Sequence, residues 1–165
     1  MAKVCSEWIF KPLGLLKTFL PTENDKVPDA YHKNRAMNLP KFMQSAAESG
    51  NAITTARELM VFTKAFFNGK LFPKEMFTKL SKFGQLQITM SVIQYGGGYM
   101  RIPLNTMGTL FMGKGELLGH SGATGSFAFY YSEKDLYFVG DVNQLSNPSI
   151  PIILVMKLAM KIINK

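Results

Sequence analysis

The segment Ile150–Ile163 constrains this chain more than any other. It is apolar nearly all round, with Lys157 and Lys161 as its polar positions. Asn147 can cap it as a helix and Pro148 suits a first helical position. A helix apolar on most faces calls for burial on more than one side. The rest of the chain offers one sheet for that purpose. Candidate strands are Gln87 to Tyr95 and Tyr99 to Leu104, flanking Gly96-Gly97-Gly98, then Gly115 to His120. Ser126 to Tyr131 and Leu136 to Asn143 read as a hairpin around Ser132-Glu133-Lys134-Asp135. In its first strand Phe127, Phe129 and Tyr131 alternate with Ser126, Ala128 and Tyr130, the period of two that gives a strand two unlike faces.

The first half has a different period. Residues 54–82 read as helical. Thr55-Ala56-Arg57-Glu58 fits a capping box, and Leu59, Phe62 and Phe66 fall on one face. Asn68-Gly69 closes this helix, and Pro73 opens a second one that turns Phe77 and Leu80 inward. Residues 2–10 are mildly helical up to Pro12, and residues 17–52 read as irregular. The expected class is α+β: an antiparallel sheet flanked by helices, in one partial domain. Residues 1–84 form its helical and loop part, and residues 85–165 its strands and terminal helix.

Composition narrows the function. A chain of 165 residues can bury about 70% of its unfolded surface. The single Cys5 excludes an internal disulfide framework and a cysteine zinc site. No run reaches the roughly 18 apolar residues of a membrane span, and the first ten residues do not read as a signal peptide. The compartment stays open. The net charge of +8 is spread along the chain, and Arg35, Arg57 and Arg101 are its arginines, so it reads as a solvated surface and no nucleic-acid partner is expected. His32 has no second ligand near it, and Glu23, Asp25 and Asp29 read as a solvated turn. No metal and no cofactor is expected.

The densest chemical signal is Gly119-His120-Ser121-Gly122-Ala123-Thr124-Gly125-Ser126-Phe127. A phosphate-binding loop would need a lysine that is absent here. A nucleophile elbow would need glycine at position 123 and a helix after it, where this chain has Ala123 and a strand pattern. What remains is a strand that lines a cleft.

These residues, with Tyr130 to Asn143 after them, resemble the C-terminal part of the serine β-lactamase-related family, which includes class C β-lactamases, D-amino-acid peptidases and esterases. Ile9 to Leu15, Gly50 to Leu59 and Tyr95-Gly96-Gly97-Gly98-Tyr99 resemble further segments of that family, in the same order. The resemblance implies the C-terminal portion of a β-lactamase/transpeptidase-like fold, and His120-Ser121-Gly122 as the family's third motif. It implies that His120 sets the electrostatics of the acyl site. Ser121 would touch a substrate carboxylate or carbonyl, and the Ala123 N–H would supply half of an oxyanion hole. The blander reading is that the glycines let a strand pass close to its neighbours, with His120 half-buried and inert.

The departures matter as much. The family's nucleophile lies in Ser-x-x-Lys, and no serine here has a lysine three residues on. Its Tyr-x-Asn motif is also missing. Ser49-Gly50-Asn51 has the alternative spelling but falls within the segment already matched to the later helix start. The resemblance thus implies half of a serine hydrolase that cleaves amide or ester bonds through an acyl-enzyme, inactive alone. Strand Leu136–Asn143 would be an open edge, and helix Ile150–Ile163 would have an uncovered face. Such surfaces call for a second copy of the chain or a separately encoded N-terminal half. The alternative is a non-catalytic module that uses the groove beside His120 to bind a small molecule, peptide or cell-wall fragment.

Overall fold

The alternation read in residues 126–131 lies inside a six-stranded antiparallel sheet. The structure is a computed structural model and describes residues 2–22, 24–38, 51–85 and 92–163. The sheet's strands are β3 (Gly84–Gln85), β4 (Gln94–Tyr95), β5 (Met100–Pro103), β6 (Glu116–Ser121), β7 (Ser126–Tyr131) and β8 (Leu136–Asp141), each paired with the next. The expected strand Gln87 to Tyr95 is seen as β4, and residues 86–91 lie outside the described residues. Register places Leu117 opposite Tyr131, Gly119 opposite Phe129 and Ser121 opposite Phe127.

One face of the sheet packs on the terminal helix, labelled α4 (Ile150–Ile163). Leu117, Phe127, Phe129 and Tyr131 meet Val155 and Ala159 in the main core, joined by Ile93, Ile102 and Leu104. Asn147 caps the approach to this helix, its Oδ1 accepting from the Ser149 N–H at 3.0 Å. Among the described residues the far side of the helix is uncovered: Ile153 is 47% exposed, and Leu158 and Ile162 37% each. The pattern that calls for burial on more than one side is thus met on one side among the described residues.

The opposite face carries the first helical stretch. Helix α2 (Ala56–Phe67) lies against β7 and β8. Phe67 stacks on Tyr130 at 5.1 Å, Tyr130 stacks on Tyr137 at 4.6 Å, and the Lys64 ammonium sits over the Tyr137 ring at 5.4 Å. Phe66 meets Phe72, Phe77 and Tyr99 edge-on, which draws in the short helix α3 (Phe77–Leu80). The result is helix, sheet and helix in three layers.

Two expectations change. The capping box forms only in part. The Thr55 hydroxyl accepts from the Glu58 N–H at 3.2 Å, but the Glu58 carboxylate turns away from its own helix. It accepts from the Lys17 N–H at 2.9 Å and from the Thr18 hydroxyl at 2.5 Å. A carboxylate gains more from several donors than from one N–H, so the side chain clamps the N-terminal segment instead. That segment contains helix α1 (Ala2–Cys5) and a π-helical turn, Ser6–Phe10. The stretch 17–52, read as irregular, holds a small hairpin of β1 (Ala30–His32) and β2 (Arg35–Met37). Distant partners hold the hairpin. The Leu145 N–H donates to the Tyr31 carbonyl at 2.7 Å, and the Gln144 side chain accepts from the Lys33 N–H at 2.7 Å.

Candidate functional site

β6 ends at Ser121, and the chain turns through Gly122–Gly125 into β7. The turn is closed on itself: the Gly122 N–H donates to the Ser126 carbonyl at 2.7 Å and the Gly125 N–H to the Gly122 carbonyl at 3.0 Å. Gly125 has φ +96°, a left-handed conformation that side chains with a Cβ resist. The turn is also fixed from outside. The Val142 N–H donates to the Gly125 carbonyl at 3.1 Å and the Gln144 N–H to the Thr124 carbonyl at 2.7 Å. Both contacts come from the stretch just after β8, so the hairpin's end is rigid on two sides.

Gly119 serves a different purpose. A Cβ there would collide with the Ala128 carbonyl oxygen of the paired strand, so β6 lies against β7 too closely for any other residue. The glycine that follows Leu118 thus holds the strand in place, and His120 follows it directly.

His120 is exposed rather than half-buried. Its ring meets the Tyr95 ring edge-on, with centroids 5.6 Å apart. Its Nε2 lies 3.0 Å from the Tyr95 hydroxyl and its Nδ1 2.6 Å from the Ser121 carbonyl oxygen. Ser121 is partly buried as the last residue of β6, Gly122 is partly buried at the turn, and Ala123 is exposed at its tip. Among the described residues the Ala123 N–H has no backbone acceptor, the state an oxyanion donor needs before substrate arrives. His120, Ser121, Gly122 and Ala123 are thus brought together at one end of the sheet.

The other candidates are elsewhere. His32 is exposed on β1. The Asp25 carboxylate accepts from the N–H and hydroxyl of Thr22, both at 2.7 Å, and these bonds hold its pKa below the usual carboxylate value. Asp29 accepts from the Asn38 amide at 2.8 Å, and Glu23 lies outside the described residues. Among the described residues no group of three His, Cys, Asp or Glu side chains could hold a metal.

A general base at this site must lose a proton near neutral pH. Burial first, then the charges of Tyr130 and Asp135, push Tyr137 up to about 12. Burial also raises Tyr130 and Tyr131. These phenols stay neutral and belong to the packing.

Tyr95 is the member of the cluster that the sequence concealed. Its glycine-rich segment stood out, but its partnership with His120 did not. Tyr95 pairs with Met100, and Met100 pairs with Gly119. The contact therefore depends on a register across three strands.

The family model for beta-lactamases matches residues 1–152. This chain belongs to the beta-lactamase family. Solved structures agree with this membership in fold. A D-stereospecific amidohydrolase from Streptomyces sp. superposes with a TM-score of 0.72 at 24% identity, over 94% of this chain and 47% of its own. The D-amino acid amidase from Ochrobactrum anthropi SV3, complexed with D-phenylalanine, gives a TM-score of 0.68 at 19% identity, over 95% of this chain and 54% of its own. This beta-lactamase-family chain therefore spans about half the length of these proteins. No curated protein matches it. Its α+β architecture, an antiparallel sheet flanked by helices, is that of the β-lactamase/transpeptidase-like fold.

Proposed function

We propose that these 165 residues are the C-terminal half of a beta-lactamase-family serine hydrolase, acting on amide or ester bonds through an acyl-enzyme once joined to a segment that supplies the nucleophile. One observation carries this reading: the chain is covered almost whole by a D-stereospecific amidohydrolase of which it covers 47%. In this reading residues 1–165 are a single partial domain. His120 shapes the electrostatics of the acyl site, Ser121 contacts the substrate and the Ala123 N–H gives one of two oxyanion donors. The missing donor and the Ser-x-x-Lys pair come from the other half.

Two surfaces support the same reading. β8 is the last strand of its sheet, with one side unpaired among the described residues. The outer side of α4 exposes Ile153, Leu158 and Ile162. A strand edge and an apolar helix face of this kind are covered by a partner in a working protein. We assign that place to the nucleophile-bearing half.

The test is covalent labelling. The 165-residue chain alone is expected to take no label from a fluorophosphonate or β-lactam probe. A Ser-x-x-Lys segment encoded in frame or adjacent upstream, expressed with this chain, is expected to be labelled at its serine and to bind this chain one to one. Labelling of a serine within this chain, or a monomer that ignores the upstream segment, would overturn the proposal. Binding of a peptide or cell-wall fragment beside His120 without any labelling would favour a non-catalytic module instead.

A further inference from the structure

The two ring nitrogens of His120 have different partners, and the partners decide the tautomer. Nδ1 faces the Ser121 carbonyl oxygen at 2.6 Å. A carbonyl has no proton to give, so Nδ1 must be the N–H donor. In the neutral ring Nε2 is then the acceptor, with one lone pair in the ring plane. At 3.0 Å from it stands the Tyr95 hydroxyl, which can donate. The phenol proton thus fills the Nε2 lone pair, and the phenol oxygen keeps its own lone pairs free to accept.

We propose that Tyr95 is the positioning residue of His120: it holds the imidazole as the Nδ1–H tautomer and serves as the acceptor through which His120 meets a ligand. This deepens the site described above, and its bearing on turnover rests on the hydrolase reading. An N–H or O–H of a ligand approaching the pair is accepted by the Tyr95 oxygen, because Nε2 is already occupied. If a proton moves, the ligand proton passes to the Tyr95 oxygen as the phenol proton passes to Nε2. The products are a neutral phenol, an imidazolium and a ligand anion, so charge and protons balance. The arrangement favours ligands that present a hydroxyl or amine to this end of the sheet.

The full chain suits a direct test, because it holds two histidines, His32 and His120. In a sample labelled with nitrogen-15 in histidine, long-range proton–nitrogen spectra distinguish the two neutral tautomers, and the His32→Asn variant assigns the signals. In its neutral form His120 is expected to show a protonated Nδ1 and an unprotonated Nε2, the reverse of the usual preference of the free histidine side chain. Tyr95→Phe keeps the ring against the imidazole. It is expected to shift the Nε2 resonance and to bring back a population of the Nε2–H form. A purely structural role for Tyr95 would leave the spectrum unmoved. A dominant Nε2–H form in the unaltered chain, or an unchanged spectrum in a folded Tyr95→Phe chain, overturns the inference. The unaltered chain decides the tautomer even if the variant fails to fold. The readout needs no turnover: a failure of labelling in the joined protein, with the Nδ1–H form intact, overturns the hydrolase reading alone.

Discussion

Replacing Ile153, Leu158 and Ile162 together by glutamine tests whether the outer side of α4 is an interface. Gln is about as good a helix former as Leu, so the helix itself is kept. Fully burying an Ile or Leu side chain contributes about 1.5–3 kcal/mol, and at exposures of 47%, 37% and 37% the burial still to be gained is about 2–4 kcal/mol. At about 1.4 kcal/mol per tenfold, that predicts a binding loss of roughly 30-fold to several hundred-fold. The partner in the assay is the proposed Ser-x-x-Lys half, and the readout is calorimetric titration of one half into the other. The chain alone should melt within a few degrees of the unaltered one, because surface changes at exposed sites usually cost little. Unchanged affinity, or a collapse in the melting temperature of the lone chain, would refute the reasoning.

Further outcomes follow from the packing and the caps. Phe129 of β7 is fully buried in the core that the sheet shares with α4, and Phe129→Ala should lower stability by about 3–5 kcal/mol in urea unfolding. Thr55→Ala removes the one side-chain cap of α2 and should cost about 1 kcal/mol in the same assay. Alkaline pH should weaken the fold through Tyr137. Its folded pKa of about 12 lies above the ordinary tyrosine value of about 10, so the folded form holds the proton longer, and its contribution is complete below about 10 and lost as pH rises toward 12. Absorbance titration should show a late-ionising tyrosine that Tyr137→Phe removes. The same change should leave neutral stability nearly intact, because the Tyr137 hydroxyl is buried without a hydrogen-bond partner among the described residues.

Legibility in the sequence tracked the range of the interactions. The hairpin Ser126–Tyr131 and Leu136–Asp141 was readable because a period of two and a polar turn are local signals. Helix Ile150–Ile163 was readable in its bounds because its apolar run is continuous. The hairpin Ala30–His32 and Arg35–Met37 was not. Its residues are largely exposed, so no alternation marks it, and Gln144, 111 positions from Lys33, helps to hold it. Glu58 shows the same limit. The box spelling fixed the Thr55 half, which is local, while the carboxylate went to Lys17, 41 positions away. At the site, His120 to Ala123 lie together because they are contiguous. Tyr95 joins them only through strand register, which no spacing along the chain displays.

The incomplete features of this chain converge on one requirement. In the proposed reading the Ala123 N–H is one oxyanion donor where acyl transfer uses two, and no serine of the sequence has a lysine three residues on. Among the described residues β8 has a partner on one side, and α4 has its core contacts on one side. Independent accidents would not be expected to leave chemistry and packing unfinished together. A single added segment that pairs with β8, covers Ile153, Leu158 and Ile162 and carries the nucleophile toward Ala123 would complete all of them. Association and activity should therefore be linked. The glutamine variant of α4 should lose probe labelling in the joined protein in parallel with its loss of affinity, and saturating amounts of the other half should restore it. Loss of labelling that saturation does not restore would separate the surface from the chemistry and break this link.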